Sequence, residues 1–143
     1  MRLPRPRTHR SDYADLAFFS GWSAADLDRM ERVAEVVEYE PGELVTSQGQ
    51  LAREFLVIVC GRAAVLTNDQ PTRVLGDGET IGEEAMLAGP ASSVAVVAQT
   101  YLKALLLGPQ QFHGLLSEAP SMGRRLSLVL ANRLRQHVAA SPT

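Results

Sequence analysis

Two stretches decide the fold: PGELVTSQGQLAREFLVIVCGRAAV at residues 41–65 and GETIGEEAMLAGPASSVAVVA at residues 78–98. In the first, Pro41-Gly42 reads as a tight turn and Leu44 to Thr46 as the short strand that follows it. Glu54 to Cys60 is apolar at consecutive positions, so both of its faces are to be covered, inside a roll or sandwich. Gly61 stops this strand, and Ala63 to Thr67 begins another. In the second stretch Thr80-Ile81 precede GEEAMLA, long enough for one or two helical turns before Gly89-Pro90. Ser93 to Ala98 and Tyr101 to Leu107 then read as two apolar strands joined as a hairpin.

Working outward, Val36, Val37 and Tyr39 form a strand before the first turn. Asp12 to Phe19 predicts a short helix that buries Leu16, Phe18 and Phe19. Ser23 stands three residues before Asp26, a capping box with Asp in place of Glu, and opens a helix over 24–34 with Leu27, Met30, Val33 and Ala34 at helical spacing. Asn68 to Pro71 is turn chemistry, and Arg73 to Leu75 a short strand. Gly108-Pro109 opens a further helix that buries Phe112, Leu115 and Leu116. After Ala119-Pro120 the longest helix, 121–139, places Met122, Leu126, Val129, Leu130, Leu134 and Val138 on one face. The class is mainly β with flanking helices: an antiparallel, jelly-roll-like β-roll of about eight strands between residues 36 and 107, a very short helix inserted late, and a long C-terminal helix. A disordered basic tail (1–11), one domain (12–139) and a short tail (140–143) complete the organisation.

With 143 residues, 45% of them apolar, the chain holds a single core of ordinary size. No apolar run approaches the roughly 20 residues of a membrane helix, and MRLPRPRTHR lacks the apolar stretch of a secretory signal. One cysteine, Cys60, excludes an internal disulfide, ends an apolar strand and is expected to be buried. These features point to the cytoplasm. Thirteen of the 14 bases are arginine, Lys103 being the exception, a usage we read as that of a GC-rich bacterial genome. Charge is uneven: +4 over residues 1–10, +4 over residues 121–143, and −10 over the body between them. An acidic body argues against nucleic-acid binding, where phosphate neutralisation dominates affinity.

The ordered set Pro41-Gly42, Gly49, Gly61 and Gly82-Glu83, with helices before and after the strands, resembles the cyclic-nucleotide-binding domain of catabolite-activator-type factors, protein kinase A regulatory subunits and gated channels. The resemblance covers residues 16–138. It implies a non-catalytic regulatory or sensor module with cyclic AMP or cyclic GMP as ligand. It implies a phosphate-binding cassette in which the amides of a short helix from Gly82 to Ala85 meet the cyclic phosphate, and in which Glu83 accepts the ribose hydroxyl. It also implies a last helix that lids the pocket and dimerises.

The family cassette ends in Pro-Arg-Ser-Ala or Pro-Arg-Thr-Ala. Counted from Gly82 without gaps, its arginine falls on Ser92, followed by Ser93; aligned on Pro90, it falls on Ala91. Residues 82–98 hold no base at all, and Glu84 adds a carboxylate where the family has an apolar residue. Weak or altered ligand binding is the expectation, with Arg73 or a base of the last helix as the replacement cation should binding prove tight. The ligand-site candidates are therefore Gly82, Glu83, Glu84, Ala85, Ser92 and Ser93. A degenerate domain that binds no nucleotide and acts as a protein-interaction or dimerisation adaptor is the alternative, with a homodimer seam through Leu126, Leu130 and Leu134. A cupin-like enzyme would need several His or carboxylates converging from strands; His9, His113 and His137 all lie outside them. Only three residues follow Ala140, so no DNA-binding module is expected and the domain reads as stand-alone.

Overall fold

The computed structural model describes residues 13–46, 54–67, 70–82, 94–128 and 131. Among these, helix α1 spans Ala24–Val33. Eight strands follow: β1 Glu35–Tyr39, β2 Leu44–Thr46, β3 Phe55–Cys60, β4 Ala63–Thr67, β5 Gln70–Leu75, β6 Thr80–Ile81, β7 Val94–Ala98 and β8 Leu102–Leu107. Helix α2 spans Pro109–Glu118, and a third helix, α3, occupies residues 120–128. The strands form two antiparallel sheets, ordered β1-β8-β3-β6 and β2-β7-β4-β5. This is the expected roll flanked by helices. The proposed tails, the loop at Ser47 to Gln50, the helical turns after Gly82 and the far part of the last helix fall outside the described residues. No helix among the described residues is long and apolar enough to cross a membrane.

The doubly apolar β3 explains the architecture. Phe55, Val57 and Val59 face one way and join Val36, Leu105 and Leu107 under the helices, against Phe18, Phe19, Met30, Phe112 and Met122. Leu56 and Ile58 face the other way and meet Val65, Leu75, Ile81 and Val96 between the two sheets. Period-2 geometry thus splits one apolar run between two cores. Gly61, at φ +111°, carries the chain from the first sheet to the second; a Cβ there would stand 2.2 Å from the carbonyl oxygen of Tyr101.

Several expectations change. β7 and β8 are not a hairpin: β7 pairs with β2 and β4, and β8 with β1 and β3. At Gln99-Thr100 the chain crosses between sheets, and both amides donate to the carbonyl of Arg62. β5 begins at Gln70, so Pro71 lies inside a strand; β5 is an edge strand, where a missing amide is tolerated. Tyr13 to Phe19 is turns and one 3-10 turn, Ala17–Phe19, because Tyr13, Phe18, Phe19 and Trp22 pack on one another at centroid distances of 4.9–5.6 Å. Val33 is exposed rather than part of the buried stripe, and Cys60 is half-buried.

Ser23 caps α1, its Oγ accepting from the Asp26 amide at 3.1 Å. Asp26 does more than close a box. Its carboxylate, 3% exposed, accepts from the Ser121 amide at 3.1 Å and from Arg29 Nη1 at 2.7 Å, while the Ser23 amide donates to Ser121 Oγ at 3.4 Å. One carboxylate therefore serves the first turns of both α1 and α3, where helix dipoles favour negative charge. Burial alone would raise its pKa; the Ser121 and Arg29 hydrogen bonds outweigh that and hold it below the ordinary value. A folded-state pKa below the unfolded one stabilises above the unfolded value, and this stabilisation is lost as pH falls through the folded value. Asp26→Ala, which orphans the Ser121 amide, is expected to lower stability by about 1–3 kcal/mol at neutral pH. Urea midpoints measured from pH 7 to pH 3 should converge for variant and wild type at the acid end; a gap that stays constant would refute the linkage.

Candidate functional site

The interior of the roll ends where β6 hands over to residues 83–93. Ile81, 4% exposed, still belongs to the core between the sheets. Gly82 follows at φ +94°, and a Cβ there would lie 2.3 Å from the carbonyl oxygen of Glu54 at the entry to β3. Its side-chain-free backbone is thus required twice, by conformation and by the closeness of a neighbouring strand. Of the candidates read from the sequence, Gly82 is the one the structure describes. Glu83, Glu84, Ala85, Ser92 and Ser93 lie outside the described residues. The segment is bracketed by Gly82 on one side and by the start of β7 at Val94 on the other.

In the second sheet β7, β4 and β5 lie side by side. Val65 of β4 is in register with Val96 of β7 and with Arg73 of β5. Paired residues of an antiparallel sheet point to the same face. Val65 and Val96 are buried between the sheets, as is Leu75, two residues beyond Arg73. Val74, on the opposite face, is 52% exposed. Arg73 therefore faces the interior of the roll. Its Nε is buried and has no hydrogen-bond partner. The sequence already named Arg73 as a replacement cation; its two-residue spacing from Leu75 is the local signal of its inward face.

Leu126 is 2% exposed and packs into the core under the helices with Met122 and Leu115, so it is already covered by its own chain. That removes it from the expected two-helix seam; Leu130 and Leu134 lie outside the described residues. His113 sits exposed on α2. Among the described residues no three His, Cys, Asp or Glu side chains gather as a metal-binding group.

Residues 36–119 match the family model of the cyclic nucleotide-binding domain. The chain belongs to that family. Over 123 residues it is 27% identical to a cAMP-dependent protein kinase regulatory subunit of Pyricularia oryzae, covering 85% of this chain and 32% of the relative. It thus spans about a third of that curated relative's length. The catabolite activator protein of Thermus thermophilus superposes with a TM-score of 0.76 at 24% identity, over 85% of this chain and 60% of that one. A triply substituted regulatory subunit of a cAMP-independent protein kinase A from Trypanosoma brucei, bound to cAMP in its A site, superposes with a TM-score of 0.75 at 20% identity, over 90% of this chain and 50% of that one. At these identities the two superpositions establish the fold.

Proposed function

We propose that this domain is a non-catalytic, cytoplasmic sensor module in which the response to cyclic nucleotide is weakened or redirected. The observation that carries the reading is the composition of residues 82–98: two carboxylates, Glu83 and Glu84, and no base. A guanidinium makes a charge-assisted, bidentate pair with a phosphate, and removing one member of such a buried pair costs about 2–5 kcal/mol. That is roughly 30-fold to a few thousand-fold in affinity. Free amides at a helix start would retain a residual anion site, which the Glu84 carboxylate opposes. The cAMP-bound trypanosomal protein carries threonine to arginine as one of its three substitutions.

Titration calorimetry with cyclic AMP and cyclic GMP tests this. The expected dissociation constants lie well above micromolar for both. Micromolar or tighter binding by the unmodified chain would overturn the reading of a weakened site. No response to either nucleotide, in heat or in melting temperature, would favour the adaptor, in which the roll is a scaffold for protein contacts. A homodimer in that case would rest on residues of the last helix other than Leu126, which its own core already covers.

A further inference from the structure

We propose that the cleft between α1 and α2 is a docking groove for a short acidic peptide segment of a partner protein. This groove is independent of whether the roll takes a nucleotide.

The two helices lie side by side in opposite directions. Glu35, just after α1, is in register with Leu106, just before α2. At the other end the Asp26 carboxylate of α1 accepts from the amide of Ser121, which follows α2. Between them runs a cleft of about 300 Å³, with Arg29, Arg32 and Val33 on one wall and the face of α2 from Gln110 to Glu118 on the other. That face is about 12 Å long, the reach of about four extended residues. Gly114 stands in the middle of α2, where a glycine costs stability, and nothing lies within 4 Å of where its Cβ would be. No neighbour calls for the missing side chain; close approach of a second backbone to α2 would. Val33, on the facing wall, is 41% exposed, and Leu115 lines the cleft from α2, so an apolar side chain laid there meets apolar surface on both sides.

Charge selects the sign of the partner. Arg32 is exposed at the end of α1 that faces the start of α2, and no ion pair joins it to a described residue. The first turn of α2 has no acidic residue and no side-chain cap, so the positive end of its dipole adds to the same sign. Arg29, toward Glu118, is already held by Asp26 at 2.7 Å. The free guanidinium of Arg32 matches a carboxylate, with which it can pair bidentately. On a body that carries −10 over residues 11–120, this cationic end attracts carboxylates locally. It suits a short acidic peptide and disfavours nucleic acid or an anionic membrane, which would meet the acidic body as well.

The test pans a phage-displayed library of random short peptides against the full chain, then measures the synthesised, fluorescein-labelled winner by anisotropy. The expected winners place Asp or Glu beside an apolar residue, and added salt weakens their binding. Gly114→Leu fills the cleft from its middle and is a better helix former, so its urea midpoint should equal or exceed that of the wild type. It should nevertheless bind the winner at least about 10-fold more weakly. Arg32→Glu, at an exposed position, should weaken binding at least about 10-fold as well, by setting like charges against each other. Arg124→Glu, exposed on α3 and outside the cleft, should leave it unchanged. Winners without acidic residues, or a winner that binds Gly114→Leu as tightly as the wild type, overturn the inference, and so does a library that yields no winner. Light scattering that shows a wild-type dimer, converted to a monomer by Gly114→Leu, also overturns it, because the groove then holds a second copy. The nucleotide titrations are a separate result: the sensor reading stands or falls on them, and the groove on the panning.

Discussion

Gly82→Ala is expected to destabilise the domain by about 2–5 kcal/mol. Two independent terms contribute. At φ +94° a side chain is strained by about 1–3 kcal/mol. The added Cβ would also stand 2.3 Å from the Glu54 carbonyl oxygen, a backbone atom that moves only if the entry to β3 moves. Overpacking of that kind adds about 1–3 kcal/mol. Gly114→Ala is the internal comparison: this glycine lies within α2, has nothing within 4 Å of its would-be Cβ, and its replacement should raise stability by up to about 1 kcal/mol. Urea unfolding of the two variants should move the midpoint in opposite directions. A Gly82→Ala midpoint equal to that of the wild type would mean that β3 and β6 separate more easily than their packing implies. The same variant is informative for ligand binding, since any probe that binds only when Gly82 is intact depends on the handover from β6 to residues 83–93.

The second large effect is a gain. Ser92→Arg combined with Glu84→Leu should raise affinity for cyclic AMP or cyclic GMP by about 30-fold or more. The first change supplies a guanidinium at the position onto which the family cassette's arginine falls when counted from Gly82 without gaps; the second removes a carboxylate from a segment that otherwise carries two acids and no base. The single variants separate the terms. Glu84→Leu alone should help modestly, by lifting a charge repulsion that added salt also weakens. Ser92→Arg alone should help more, because a bidentate pair adds hydrogen bonds as well as charge. Calorimetry of all four proteins forms a double-mutant cycle. A flat cycle, with no protein binding measurably, would mean that the interior is closed to nucleotides by shape, and would move the adaptor reading to first place.

The parts of the fold that can be read along the chain are those governed by local period. Consecutive apolar residues at Phe55 to Val59 announce a strand covered on both faces, and it is: helices lie on one side and the second sheet on the other. The Ser23 cap and the Gly108-Pro109 helix start are equally local. Pairing partners are not. Val94 to Ala98 and Leu102 to Leu107 look like two arms of a hairpin, yet in these two pairings their neighbours lie 27 or more residues earlier, in Ala63 to Thr67 and in Phe55 to Cys60. Pro71 misleads for a related reason: it breaks a central strand but not an edge, and only the sheet order shows that β5 is an edge. For the site, Gly82 is legible as the glycine that opens the cassette, whereas its positive φ and its closeness to Glu54 are not. The inward aspect of Arg73 follows from its spacing to Leu75, but its unpaired Nε is a property of three strands together. Asp26 shows the same limit: the box with Ser23 is local, while the partner that matters most, Ser121, is 95 residues away.

The order β1-β8-β3-β6 has a consequence for how the protein is made. β8 is the last of the eight strands to leave the ribosome, and its place is between β1 and β3, in register with Val36 and Val37 on one side and Leu56 and Val57 on the other. Until Leu107 has emerged, β1 and β3 each present an open, apolar edge with no partner on that side, the situation in which nascent chains pair wrongly or aggregate. The first sheet therefore closes in one late step, when β8 slides into a gap between two strands already synthesised. Nascent chains halted before residue 102 should remain protease-sensitive, and protection should arrive abruptly once the whole of β8 is free of the exit tunnel.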